Sequence, residues 1–222
     1  MKPKTWTVAV VIALVLAMTG LSLYVVSLNK SAVNNGSGQS ESTIWPLPSS
    51  HETFTDMTTA VYSVATDFAH MKDVVVDNSG KVSANTWAVL LQSGSAGPRT
   101  TVYLTKRSSD NSWWVTSAVA QDIVLGTPKW NSTVKSPFHV TGLSTAFEAV
   151  VNGQVLSRQN GKSLTKFTAM GGSNGIVGAF STVVSIPQVR RTTNATLLLY
   201  EVSAKDGSVT EFSASPIVAN PK

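Results

Sequence analysis

An α+β domain followed by an all-β antiparallel sandwich, both behind an N-terminal transmembrane helix, is the architecture this sequence predicts. Three observations predict it. Residues 5–29, between Lys4 and Lys30, carry no charge, and a helix needs about 20 mostly apolar residues to span a hydrocarbon core. Charged side chains make up only 13% of the 222 residues, while Ser, Thr, Asn and Val abound, a composition of strands and turns rather than of long surface helices. An apolar stripe at helical spacing occurs once, from Phe54 to Phe68, and the rest reads as short alternating runs.

The first element is the anchor over 5–29. Lys2 and Lys4 precede it, and cytoplasmic flanks are the ones enriched in Lys and Arg, so residues 1–4 are read as a cytoplasmic end in a single-pass membrane protein. A cleaved secretory signal is the alternative, but its small-residue site at Ala17-Met18-Thr19 would cut the run in half. Both readings export the remainder. Residues 30–49 form a tether; its Ser/Asn/Gly stretch, SAVNNGSGQSEST at 31–43, has a reach of about 20 Å.

The α+β domain is expected over 50–128. Pro46 and Pro48 forbid a helix before them, Ser49 or Ser50 offers an N-cap, and Phe54, Met57, Val61, Val64, Ala65 and Phe68 form one stripe. Three strands come next, KVSANTWAVLLQS, RTTVYLTKR and SWWVTSAVAQDIVLG, separated by GSAGP at 94–98 and SSDN at 108–111, which predicts an antiparallel meander under the helix. A helix on a sheet can open a cavity for a ligand, which keeps a sensing or chaperone-like role in view.

The sandwich is expected over 129–222, with strands near 133–140, 143–151, 154–158, 163–169, 178–186, 195–204 and 208–218. Asn152-Gly153, Asn160-Gly161, Gly171 to Gly175 and Asp206-Gly207 supply the turns.

The chain has no cysteine, which excludes disulfides, thiolate catalysis and cysteine-ligated metal. Net charge is +5, unevenly spread: residues 50–128 hold five basic and seven acidic side chains, residues 129–222 nine and four. Outside a cell such a basic half suits an anionic wall polymer or an envelope protein. No nucleic-acid module accompanies the charge, so nucleic acid is not an expected partner. Arg190 and Arg191 are the adjacent basic pair of that half.

Candidate sites emerge from the same residues. Trp113 and Trp114 are neighbours on a strand and must face opposite sides; Trp114 is the one that either packs under the helix or stands exposed as a binding anchor. Alternation groups Trp113 with Val115 and Val119, and Trp114 with Thr116, Ala118 and Ala120. Glu148 and Glu201 each end an apolar segment and could form a facing carboxylate pair. Gly171 to Gly175 fits the G-x-S-x-G string with Ser173 at its centre, but Ile176 to Ile186 alternates like a strand where a nucleophile elbow needs a helix. His51, His70 and His139 are too widely spaced to suggest a zinc site. Neither cofactor nor metal is expected, and no enzyme.

Ser136-Pro137, Val140-x-Gly142, Ala146-Phe147-Glu148, Gly178-x-Phe180, Tyr200-Glu201 and Asp206-Gly207-Ser208, in this order, resemble the immunoglobulin-like domain of bacterial spore germination across about 129–220. Trp113 to Pro128 looks like the segment that precedes this domain in exported proteins of high-GC Gram-positive bacteria. The resemblance implies an immunoglobulin-like β-sandwich at a bacterial cell surface, with no catalytic motif. The sequence departs from the family between Asn152 and Lys166, where Gly153 and Gly161 replace a second acidic turn. The function expected is a non-catalytic, membrane-anchored binding module of the cell envelope; a germination-related role is implied by the resemblance alone. An envelope hydrolase is the third alternative.

Overall fold

Residues 42–187 and 189–221 are described by a computed structural model. The expected cytoplasmic end, the anchor over 5–29 and most of the tether lie outside the described residues; among those described, no helix is long and apolar enough to cross a membrane. The end of the expected tether is not tether at all. Ile44 donates its N–H to Val115 O at 2.8 Å, and Ile44 and Trp45 are 1% and 6% exposed. Two large apolar side chains recover more by burial, about 2 kcal/mol each, than they lose by ordering.

The helix is shorter than its apolar stripe. α1 spans Met57–Ser63 and continues as one wide π turn over Val64–Phe68. Its N-cap is Asp56, whose Oδ2 accepts the Thr59 N–H at 2.7 Å, rather than Ser49 or Ser50. The earlier caps fail because Phe54 is still extended, accepting the Trp113 N–H at 2.7 Å. Ala60, Val61, Val64, Ala65 and Phe68 fill the interface with the sheet beneath, all buried.

One nine-stranded sheet runs in the order β1 (Val74–Lys81), β2 (Thr86–Ser93), β3 (Arg99–Lys106), β4 (Trp113–Ala120), β12 (Val209–Asn220), β11 (Thr193–Val202), β8 (Val150–Ser157), β9 (Ser163–Met170). A short strand, β6 (Ser132–Lys135), lies parallel on β12. A second sheet orders β10 (Gly178–Val184), β7 (Phe138–Ser144) and β5 (Ile123–Thr127). The C-terminal strands of the large sheet face this small sheet across a core that includes Val140, Phe180, Leu197, Leu199 and Ile217. This is a sandwich, and most of the described chain is β.

Several strands differ from expectation for identifiable reasons. β1 is an additional strand; its side chains are largely exposed, so no alternation announces it. The expected strand from Trp113 to Gly126 breaks at Gln121-Asp122 into β4 and β5, which belong to different sheets. Pro137, which has no N–H for a ladder, separates β6 from β7. The expected strand over 143–151 is interrupted by a 3-10 turn at Phe147–Ala149, where Glu148 and Ala149 have φ of 59° and 62°. Asn152-Gly153 is not a turn. Gly153 lies buried inside β8, where a Cβ would collide with the Phe167 ring. β8 therefore runs straight through it.

β11 and β12 are buried on both faces, which joins the expected α+β part to the sandwich. Leu198 and Phe212 pack into the core under α1, while Leu197 and Leu199 pack into the sandwich core. Strands buried on both faces read as near-continuous apolar runs, and TLLLY in β11 is one. The described residues accordingly fall in one compact unit.

Gly142 marks the tightest approach inside the sandwich. A Cβ there would overlap Val124 O of β5 and the ring of Phe180, which is 2% exposed. Gly142→Ala is expected to cost about 3 kcal/mol, the upper end of overpacking penalties, because backbone cannot rotate away. A loss of less than a third of that in the unfolding free energy from urea titration would show that β5 yields freely.

Candidate functional site

The chain leaves the large sheet at the end of β4 and enters the small one at β5, and the corner between them, Gln121-Asp122, is where polar groups converge. Only one residue pair joins β4 to β12, Ala118 with Ala214. Side chains therefore take over where the ladder stops. Ser213 Oγ accepts the Ala120 N–H at 2.8 Å and donates to Ile123 O at 2.7 Å, spanning the corner, and Thr100 Oγ1 accepts the Phe212 N–H at 3.1 Å.

Three carboxylates complete the corner. Glu211 Oε2 accepts the Asp122 N–H at 3.1 Å. Glu201, its cross-strand partner in the β11–β12 register, accepts the Phe147 N–H through Oε1 at 2.6 Å. Asp122 Oδ1 accepts from the Thr145 hydroxyl at 2.7 Å, and its backbone carbonyl accepts the Thr145 N–H at 2.9 Å. Glu201 and Glu211 thus each tie down a different piece of backbone, and the Asp122 carboxylate holds a side-chain hydroxyl.

Burial decides their protonation. Glu211 is fully buried and Glu201 is 8% exposed. Desolvation pushes the Glu211 carboxyl up to about 8, against the opposing Asp122 N–H bond and with a further push from the Asp122 and Glu201 charges. Desolvation also raises Glu201, against its Phe147 N–H bond; the Asp122 charge adds to the rise, and a hydrogen bond from Glu211 opposes it. Glu211 Oε1 meets no N–H or hydroxyl donor among the described residues. Burial and its two acidic neighbours thus favour the neutral form of Glu211 at neutral pH, directly across the register from Glu201.

An open cleft of about 550 Å³ lies over this cluster, lined among others by Asp122, Thr145, Phe147, Asn174 and Glu201, with Pro98 reaching in from the β2–β3 turn. Five of the nine large apolar side chains left exposed among the described residues lie at this end of the sandwich, while Tyr62, Val75, Val82 and Val183 lie elsewhere. Phe147 is 55% exposed, Leu143 49%, Met170 64%, Ile176 73% and Val177 64%. They crowd the end of the sandwich where Gly178 of β10 pairs with Ser144 of β7.

The expected site residues scatter. Glu201 lies in the cleft, but its carboxylate partner is Glu211, with Asp122 beside them, rather than Glu148, whose side chain is exposed on the turn. The Asp206-Gly207 turn could have revealed Glu211, since folding back about it sets residues 201 and 211 opposite one another. Nothing in sequence marks Asp122, which is 79 residues before Glu201. Trp114 is half-buried, donates Nε1–H to Ser112 Oγ at 2.7 Å and stacks under the Arg107 guanidinium at 3.8 Å. It faces away from α1, because a bulge between Tyr103 and Leu104 puts Val115 and Ala118 together on the α1 side, with Trp113 packed beside them. That corrects the expected grouping of Trp114 with Ala118. Arg190 and Arg191 are exposed in the β10–β11 connection, at the opposite end of the sandwich from the cleft. Ser173 lies at the cleft end, whereas His139 pairs with Val183 near the other end of β7 and β10. Among the described residues no three His, Asp or Glu side chains are grouped to hold a metal ion.

No curated protein and no solved structure matches the chain. A family model does, and it begins at the corner residue Asp122 rather than at 129, consistent with β5 pairing to β7. Residues 122–208 match the family described as the immunoglobulin-like domain of bacterial spore germination, and the sandwich from the Asp122 corner to the β11–β12 turn is this chain's counterpart of that domain.

Proposed function

We propose that this chain is a non-catalytic protein of the cell envelope, anchored by its N-terminal apolar run, that binds a partner through the cleft end of its sandwich. The observation that carries the reading is that Phe147, 55% exposed, lines a cleft with carboxylates in its wall, and that Leu143, Met170, Ile176 and Val177 are exposed at the same end of the sandwich. Exposed apolar groups gathered beside fixed polar groups are the usual anatomy of an interaction surface. The engaged states of Trp114 and of the corner carboxylates favour structural roles for those groups and leave the rim as the contact surface.

Retention of the full chain on envelopes of its native host tests this. Phe147→Ser combined with Ile176→Ser is expected to reduce retention about tenfold, since rim anchors of this kind carry about 1 kcal/mol or more. Unchanged retention in that variant, with loss in Arg190→Glu/Arg191→Glu and at high salt, would instead assign binding to an anionic wall polymer at the opposite end.

A further inference from the structure

We propose that the Glu201–Glu211 pair is a proton-operated latch on the cleft: while the two share one proton, they hold the Asp122 corner and the Phe147 turn onto β11 and β12, and loss of that proton releases both. The geometry supplies the parts. The two residues are directly opposite in the antiparallel register, 8% and 0% exposed. Each holds a backbone N–H from a different segment, Glu201 that of Phe147 and Glu211 that of Asp122. Those segments form two walls of the cleft.

The charged groups that face Glu211 are Asp122 from the β4–β5 corner and Glu201 from β11, both anionic. The backbone N–H groups of Asp122 and Gln121 are the dipoles that favour its ionisation. When Glu211 gives its proton to solvent, three carboxylates are left together, that of Glu211 fully buried, and the acid–carboxylate hydrogen bond is gone. Like charges so placed repel strongly. Relief comes by moving a carboxylate toward water, and each carboxylate that moves drops the N–H it holds. The rise of the Glu211 carboxyl to about 8 sets the release just above neutrality.

The latch rests on reading the cleft as the binding end, but its test needs no partner, so failure here and failure of binding are distinguishable. Hydrogen exchange measured by mass spectrometry, on the full chain in detergent from about pH 6 to about pH 9.5, reads the two segments directly once intrinsic rates are divided out. Protection of residues 121–127 and 145–151 is expected to fall about tenfold above pH 8 while that of β3 holds, a tenfold change being about 1.4 kcal/mol. Glu211→Gln, which keeps a donor and cannot ionise, is expected to stay protected throughout. Glu201→Gln removes the charge facing Glu211 and with it one cause of the rise, so the midpoint is expected to change. Wild-type segments that track β3 at every pH would overturn the latch, as would a Glu211→Gln protein that opens at the wild-type midpoint. Should Glu211→Gln not fold, an unchanged midpoint in Glu201→Gln would overturn it equally.

Discussion

Replacing Glu211 with Gln is expected to stabilise the folded chain at alkaline pH and to remove most of its pH dependence. The ordinary glutamate value is 4.5 and the folded one is about 8. Between them the folded state binds more protons than the unfolded state, so wild-type stability falls as pH rises through this window and levels off above it. Glu201 is raised in the same direction, so some slope remains in the variant. The accumulated difference by about pH 8 is a few kcal/mol, at about 1.4 kcal/mol for each tenfold change in proton affinity. Below pH 4.5 both proteins carry a neutral group at this position and differ little. Urea midpoints at about pH 5, 7 and 9 decide it; parallel profiles for the two proteins would mean that Glu211 is charged in the fold.

Phe212→Ala is expected to be the most damaging single truncation. Phe212 is fully buried, and its backbone N–H is held by Thr100. It lies on the central strand that belongs to both cores, with its ring on the α1 side. Removing a buried aromatic ring costs about 3 to 5 kcal/mol, by lost burial and the cavity left behind. Because β12 also carries Ile217 into the sandwich core, the loss is expected to lower one shared unfolding transition rather than to melt the α1 side alone. Two resolved transitions in calorimetry of the variant would show that the cores are independent.

Where local chemistry dictates local form, the sequence is legible. The β2–β3 and β3–β4 turns, the Asn160-Gly161 and Asp206-Gly207 turns, the β9 to β12 strands and helix α1 are all announced by their residues. The misreadings arise where distant partners decide. Asn152-Gly153 has the chemistry of a hairpin, yet Gly153 is required by the Phe167 ring of a neighbouring strand. Val74 to Lys81 looks like a loop because β1 is an edge strand with most of its side chains in water. The residues from Trp113 to Gly126 contain no Pro and no turn dipeptide at Gln121-Asp122, since the corner is enforced from β12 by Ser213 and Glu211. For the same reason the candidate site is half visible in the sequence: Glu201 stands out there, while Asp122 is brought to it by tertiary structure alone.

The position of β12 has a consequence for how the molecule is made. The strand occupies the middle of the large sheet, between β4 and β11, although in sequence it comes after every other strand. Strands β1 to β4 and helix α1 are synthesised early, but their sheet has an open side: Ala118 is paired to Val102 of β3 and has no partner on its other side until Ala214 arrives. Pairings across such long separations are slow to form. A nascent chain short of residues 209–220 would present the apolar faces of both cores to whatever is near it, so folding must wait for those residues, and a chaperone has the interval in which to hold the chain unfolded.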